Sequence, residues 1–274
     1  MRGKGILGAT AAALAIISAP ALAGDLGTAG TMTYALVEGP LEPNEEVQVQ
    51  TDCAAGANMT AVGFGADFGG VRPLSLFLHS ASAAEATLSA TASTTFSVYP
   101  MCTTASVKYV EKSRSVPATA AATIKAKCPV QRHVAGGGVD AYAKVIQNSY
   151  PYDSRDKDSK PDDGWKASAQ GADEAEMTVV AACVKAMPSY RSKKVDLSPG
   201  AGISFPIKCK TQKHLSATGA RMTGATGFGG LEGLRPLDGS DADTAPDDSG
   251  LVNMDNYPSN PDSEKLTATA VCVE

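Results

Sequence analysis

The residues best suited to chemistry lie between Cys128 and Tyr142, in the stretch CPVQRHVAGGGVDAY. A thiol near His133 could form a metal site or a nucleophile, and the glycines 136–138 could cradle a phosphate before a helix. The chain has three histidines in all and no HExxH or paired CxxC pattern, and no helical period follows the glycines. We therefore interpret His133 as a surface turn residue and the glycines as a strand bulge or a close backbone approach.

Carboxylates are concentrated in two polar stretches, DSRDKDSKPDDGW at 153–165 and DGSDADTAPDDSGLVNMDNYPSNPDSE at 238–264. Oxygen-rich clusters of this kind can bind Ca²⁺, although neither stretch fits the EF-hand loop. We interpret both as solvated loops and keep Ca²⁺ binding as the alternative; no other cofactor is predicted. The candidate metal ligands are Asp162, Asp163, Asp241, Asp243, Asp247 and Asp248.

Aromatic residues near these loops could stack on a sugar ring. The candidates for such ligand binding are Tyr150, Trp165 and Tyr257. A Trp that follows a glycine turn is more often a core residue, so both roles remain open for Trp165.

The elements that must position these residues recur three times along the chain. With Cys53, Cys128 and Cys209 as anchors, a tyrosine lies nineteen residues before each, an apolar residue six after and a glycine ten after. The shared positions are Tyr34, Tyr109 and Tyr190; Met59, Val134 and Leu215; and Gly63, Gly138 and Gly219. Each copy closes on a second cysteine, namely Cys102, Cys183 and Cys272. We predict three β repeats, at 24–102, 103–183 and 184–274.

Apolar residues alternate with polar residues before each anchor cysteine, which is typical of a strand with one buried face. No segment after residue 23 shows a convincing helical period. We expect an all-β fold of three tandem, disulfide-pinned antiparallel units with four or five short strands each. Three such units could be arranged with pseudo-three-fold symmetry.

Six cysteines allow 15 pairings, and the repetition favours two of them. One pairs cysteines within repeats (Cys53–Cys102, Cys128–Cys183 and Cys209–Cys272), and the other pairs them across repeats (Cys102–Cys128, Cys183–Cys209 and Cys53–Cys272). We favour pairing within repeats because each unit would then be complete by itself. Each closed loop of that size would contribute on the order of 4 kcal/mol.

The N-terminal segment predicts export. Residues 1–23 combine early basic residues, a short apolar run and an Ala-Leu-Ala cleavage pattern, as in a secretory signal peptide. The formal net charge of −5 argues against nucleic acid, and no second apolar run predicts membrane insertion. We expect a secreted, extracellular protein.

The second repeat also resembles a known group of proteins. CPVQRHVAGGGV, SYP at 149–151, GW at 164–165 and AAC at 181–183 are similar to the CPxGxxVxGGG, SxP, GW and closing-Cys pattern of secreted actinobacterial repeat proteins. The third repeat keeps NYP at 256–258 but lacks the Trp, and the first lacks both. A weaker likeness, to the vitelline membrane outer layer proteins, implies three sheets around a pseudo-three-fold axis. The first resemblance implies export and disulfides but no particular reaction.

Together these features predict a secreted, non-enzymatic binding or structural protein that acts at or near the cell surface on a glycan or a protein. One alternative is a secreted hydrolase that uses the acidic loop residues. The other is a calcium-dependent adhesin. The oligomeric state is left open.

Overall fold

The computed structural model describes residues 32–66, 70–142, 144–154, 160–210, 213–223, 229–237, 248–256 and 262–274. All the regular secondary structure in these ranges is β-strand, which confirms the predicted all-β class. Within the same ranges, no helix is long and apolar enough to cross a bilayer.

The strands follow the three repeats along the chain. The first repeat supplies Met32–Tyr34 (β1), Val37–Leu41 (β2), Glu46–Asp52 (β3), Asn58–Ala66 (β4), Val71–Leu78 (β5), Ala83–Ala90 (β6) and Thr94–Thr103 (β7). The second supplies Lys108–Val116 (β8), Ala122–Lys127 (β9), His133–Asp140 (β10), Val145–Tyr152 (β11), Gly164–Gln170 (β12) and Ala175–Val184 (β13). The third supplies Ser189–Leu197 (β14), Gly202–Lys208 (β15), His214–Thr223 (β16), Gly229–Leu237 (β17), Ser249–Asn256 (β18) and Glu264–Val273 (β19). Each repeat therefore has six or seven strands, more than the four or five that we expected.

The strands form three antiparallel sheets. Sheet A has the order β1-β7-β4-β17-β18-β15, and β2 also pairs with β7. Sheet B has the order β3-β6-β5-β10-β13-β8, and sheet C has the order β14-β19-β16-β11-β12-β9. In each sheet, three strands or more of one repeat pair with three strands of another. The same strand order recurs in all three sheets; pseudo-three-fold symmetry in space stays a prediction.

This exchange of strands corrects the expectation that each repeat completes its own fold. Consecutive strands of one repeat, such as β4 and β5, lie in different sheets, and each sheet combines strands of two repeats. The disulfides nevertheless stay within repeats, as favoured: Cys53–Cys102, Cys128–Cys183 and Cys209–Cys272. The crosslink pins the anchor segment to the closing strand, while pairing between repeats builds the sheets.

The tyrosines shared by the three repeats join one repeat to the next. The Tyr109 hydroxyl donates to the Met59 carbonyl at 2.7 Å, and the Tyr190 hydroxyl donates to the Val134 carbonyl at 2.8 Å. The Tyr34 hydroxyl donates to the carbonyl of Leu215. Each acceptor is the apolar residue six positions after an anchor cysteine, so two of the repeated positions are the two ends of one hydrogen bond.

The residues that follow these acceptors form β-bulges, and there the three repeats meet. Thr60 Oγ1 lies 2.8 Å from the Ser216 carbonyl oxygen, and Ser216 Oγ lies 2.7 Å from the Ala135 carbonyl oxygen. Ala135 holds the equivalent position in the second repeat but has no hydroxyl. All three residues are buried, so the polar contacts between repeats lie inside the core.

Candidate functional site

The glycines of the CPVQRHVAGGGVDAY stretch lie in strand β10, with a bulge between Val134 and Gly136. A side chain at Gly136 would overlap the Thr60 carbonyl oxygen, and one at Gly138 would overlap that of Leu76. A side chain at Gly137 would overlap both the indole of Trp165 and the Val180 carbonyl oxygen. Close backbone approach is therefore confirmed as the reason for all three glycines.

His133, at the start of β10, forms a pair with a predicted loop acid. Its Nδ1 lies 2.6 Å from Asp162 Oδ2, and Asp162 is 6% exposed. The main-chain carbonyl of Asp162 also accepts a hydrogen bond from the Val134 amide at 2.9 Å. Asp162 thus fixes the loop onto β10 through both its side chain and its backbone.

Asp163 is also engaged in the loop. Its carboxylate accepts a hydrogen bond from the Ser154 amide at 2.5 Å and lies 3.6 Å from the Lys127 ammonium. Burial acts to raise the pKa of Asp163, but the hydrogen bonds from Ser154 and the charge of Lys127 outweigh it and hold that pKa below its ordinary value. The Asp163 carbonyl accepts from the Cys128 amide, as the Asp248 carbonyl accepts from Cys209, both at 2.8 Å.

The other predicted metal ligands, Asp241, Asp243 and Asp247, lie outside the described residues, as does Tyr257. In the described part of the chain, no group of three or more His, Cys, Asp or Glu side chains could hold a metal ion.

The two aromatic candidates that the structure describes are both largely buried. Trp165 is 1% exposed, and its indole nitrogen donates to Ser149 Oγ at 2.9 Å. Of the two roles left open for Trp165, the structure therefore shows the core role. Tyr150 is 9% exposed, and its ring lies between the Lys166 ammonium at 5.5 Å and the Arg221 guanidinium at 5.3 Å.

Tyr150 lies within a positively charged surface of sheet C that was not predicted from the sequence. We call it the cationic face, and it consists of Lys125, Lys166, Lys194, Arg221 and Lys265, on five strands of sheet C. The register places these side chains on one side of the sheet: Lys194 and Arg221 both lie opposite Thr267, and Lys125 lies opposite Lys166. Lys125, Lys194 and Lys265 are exposed.

A depression of about 300 Å³ lies at one end of this face. It is lined by Lys194, Val195, Asp196, Arg221, Thr223, Lys265 and Thr267. Asp196 lies opposite Lys265 in the register and offsets part of the positive charge. Three cations and two hydroxyls around one depression favour an anionic, hydrogen-bonding ligand.

The charge of sheet C differs from that of the whole chain. Its strands carry eight Lys and Arg residues, namely Lys125, Lys127, Lys166, Arg191, Lys193, Lys194, Arg221 and Lys265. They carry two acids, Asp196 and Glu264, and Glu264 is 2% exposed. These strands therefore contribute +6 to a chain whose net charge is −5.

A second missed feature is a carboxyl pair on sheet A. Glu232, at the bulge in β17, is hydrogen-bonded to Asp255 of β18. Burial, followed by the hydrogen bond and the repulsion from Asp255, raises the pKa of Glu232 to about 7. A raised carboxyl pKa is a property that general acids need.

A buried lysine has a structural explanation instead. Lys144 is 1% exposed, and its ammonium donates to the carbonyl oxygens of Pro117 and Gly171 at 3.4 Å and of Asp173 at 2.5 Å. The charge is satisfied by the turns on both sides of it, so Lys144 ties two loops together.

The chain matches no known protein-family model, and the search of curated proteins finds no relative. The candidate site therefore rests on the chain's own geometry.

Proposed function

We propose that this protein is exported and acts at or near the cell surface as a non-enzymatic binding or structural protein. The observation that carries the proposal is the cationic face of sheet C, which gathers charge and hydrogen-bonding groups on a regular surface in an otherwise acidic chain. Such a surface suits recognition of an extended extracellular ligand, either a glycan or a protein.

The scaffold beneath the face supports a role outside the cell. Three disulfides are typical of proteins in oxidising compartments, and they fit the signal peptide predicted at 1–23. Strand exchange between repeats holds the sheets together without a large aromatic core. A rigid β-surface lowers the entropy that is lost on binding.

The test is a binding assay with the exported protein, purified from the medium of an expressing host. We expect it to sediment with isolated cell envelopes and to be retained by some members of a panel of surface polysaccharides and proteins. Reproducible turnover of a glycan or peptide, or no retention by any member of the panel, would contradict the proposal.

The second candidate function is a secreted hydrolase, and the Glu232–Asp255 pair is the observation that favours it. The loop acids Asp162 and Asp163, predicted from the sequence, are tested in the same activity assay. Loss of a measured activity in Glu232→Gln, or in the double variant Asp162→Asn and Asp163→Asn, with unchanged melting temperature would establish the hydrolase. The calcium-dependent adhesin is tested by calorimetry with Ca²⁺ and EGTA, where absence of heat and of a melting-temperature shift would remove it.

A further inference from the structure

We infer that the cationic face binds a linear polymer that carries repeated anionic groups, either carboxylates or phosphates, along its length. This inference rests on the proposed binding function and names the class of ligand. It follows from three properties of the face: the spacing of its cations, the polar groups between them and the contrast with the rest of the molecule.

Three of the five cations, Lys194, Arg221 and Lys166, lie on alternate strands. Lys194 on β14 and Arg221 on β16 are separated by β19, and Arg221 and Lys166 on β12 are separated by β11. Because neighbouring strands lie about 4.8 Å apart, successive cations are roughly 10 Å apart across the sheet. Lys125 on β9 extends the series to the edge. A flexible polymer with regularly spaced anions could lie across the strands and meet several cations at once, whereas a single small anion would meet one or two.

The groups between the cations are neutral and polar. Thr267 lies between Lys194 and Arg221, and Thr223 lines the same depression. Further along, Asn148 Nδ2 donates to Ser168 Oγ at 2.7 Å on strands β11 and β12. These hydroxyls and amides can hydrogen-bond to the polar backbone of a polysaccharide or polyol phosphate, and they add no negative charge to the face.

Three cations are held in place before any ligand arrives. Arg221 and Lys166 flank the Tyr150 ring, while Lys125 lies 5.3 Å from the ring centroid of Tyr152. Cation–π contacts restrict these long side chains, which lowers the entropy cost of ordering them around an anion.

A second copy of the chain is the main competing occupant, because the outer face of sheet B is acidic. The strands of sheet B carry six acids, Glu46, Asp52, Glu85, Glu111, Asp140 and Glu176, and four cations. Three of the four cations, Lys108, Lys112 and Arg114, lie on the edge strand β8, where they pair with the buried residues Cys183, Val179 and Met177. A second copy would have to match the spacing of the cations with one rigid surface, whereas a flexible polymer can adjust to it, so we favour the polymer.

The test compares two triple variants of the exported protein. Lys125, Lys194 and Lys265 become Gln in the first, and Lys108, Lys112 and Arg114 become Gln in the matched control. All six residues are exposed, so both variants should fold and both lose three positive charges. The probes are polygalacturonate as a carboxylate polymer, polyphosphate as a phosphate polymer, neutral dextran and polyglutamate, each at several salt concentrations.

We expect the unaltered protein and the control to bind polygalacturonate or polyphosphate, with an affinity that falls steeply with salt. The affinity of the sheet C variant should be lower by roughly ten-fold or more. The slope of its log affinity against log salt concentration should be lower by up to about three. The preferred polymer then identifies the anionic group. Equal losses in both variants, or salt-dependent self-association that the sheet C variant abolishes, would overturn the inference. Salt-insensitive binding to envelopes or dextran would also overturn it but would leave the proposed binding function intact.

Discussion

Sheets B and C have the same strand order and opposite surface charge. Each pairs three strands of one repeat with three of the preceding repeat, and in each the edge-strand tyrosine, Tyr109 or Tyr190, donates a hydrogen bond to a main-chain carbonyl of the preceding repeat. Their strands nevertheless carry net charges of −2 and +6. The inner faces therefore preserve what the fold requires, while the outer faces have diverged.

The divergence is clear at one equivalent position. Phe77 of β5 and Tyr150 of β11 each follow the residue that pairs with the neighbouring repeat, Leu76 and Ser149 respectively. In sheet B the Phe77 ring makes an edge contact with His79, with centroids 5.1 Å apart. In sheet C the Tyr150 ring lies between two cations. The same scaffold position thus serves a different surface chemistry in each sheet.

The largest expected effect concerns the glycines at the junctions. A side chain at Gly138 would overlap the Leu76 carbonyl oxygen in sheet B, whereas at Gly219 in sheet C the nearest atom is Tyr150 Cα at 2.7 Å. We expect Gly138→Ala to lower the free energy of unfolding by about 3 kcal/mol and Gly219→Ala by about 2 kcal/mol. Guanidinium unfolding measures both; a larger loss for Gly219→Ala, or none for either, would show that the junctions are not so closely packed.

Loss of a tyrosine hydrogen bond should destabilise the fold less than either glycine substitution, and by the same amount in both sheets. Tyr109→Phe and Tyr190→Phe each remove one hydroxyl that donates to a bulge carbonyl, so each should lower the free energy of unfolding by about 1 kcal/mol. The control is Tyr142→Phe, since Tyr142 is 73% exposed and should be neutral. If only one junction variant loses stability, the two junctions are not equivalent.

The smallest expected effect concerns Asp140 on sheet B, and its size depends on pH. Burial, with repulsion from Glu85, raises the pKa of Asp140 on sheet B above its ordinary value. The folded state therefore holds this proton more tightly than the unfolded chain, and stability is lost as the pH rises from the ordinary aspartate pKa through the raised one.

Asp140→Asn should therefore raise the melting temperature by about 1–3 °C at pH 7 and leave it unchanged near pH 3, below both values. Asparagine keeps an acceptor for the Tyr142 amide, which bonds to the Asp140 carboxylate at 3.1 Å. A stabilisation of equal size at both pH values would mean that charge is not the cause.

Sequence patterns predicted what is local or repeated. Alternation before the anchor cysteines predicted the strands, the repetition reduced the cysteine pairings to two, of which one is observed, and a Trp after a glycine turn allowed the buried role of Trp165. Exchange of strands could not be predicted, because a strand has the same alternation whether its partner lies in its own repeat or in the next. The tyrosine and the apolar residue were both visible, but only the register between repeats shows that they are bonded.

The cationic face was missed for a similar reason. Lys125 and Lys265 lie 140 positions apart in the chain, and only the strand order of sheet C brings them to one surface. The usable signal was the alternation itself, which places Lys125 and Lys127 on the outer side of β9. The acidic loops attracted attention because their charges are contiguous, yet Asp162 and Asp163 are engaged in bonds that hold the loop.

The most direct test of the cationic face is lysine-acylation footprinting of the exported protein, with and without the polymer that binds best. Mass spectrometry would compare Lys125, Lys194 and Lys265 on sheet C with Lys108 and Lys112 on sheet B, all of which are exposed in the free protein. We predict that the polymer slows labelling of the sheet C lysines several-fold and leaves the sheet B lysines unchanged. Equal protection of both sets, or protection of the sheet B lysines alone, would contradict the assignment of binding to sheet C.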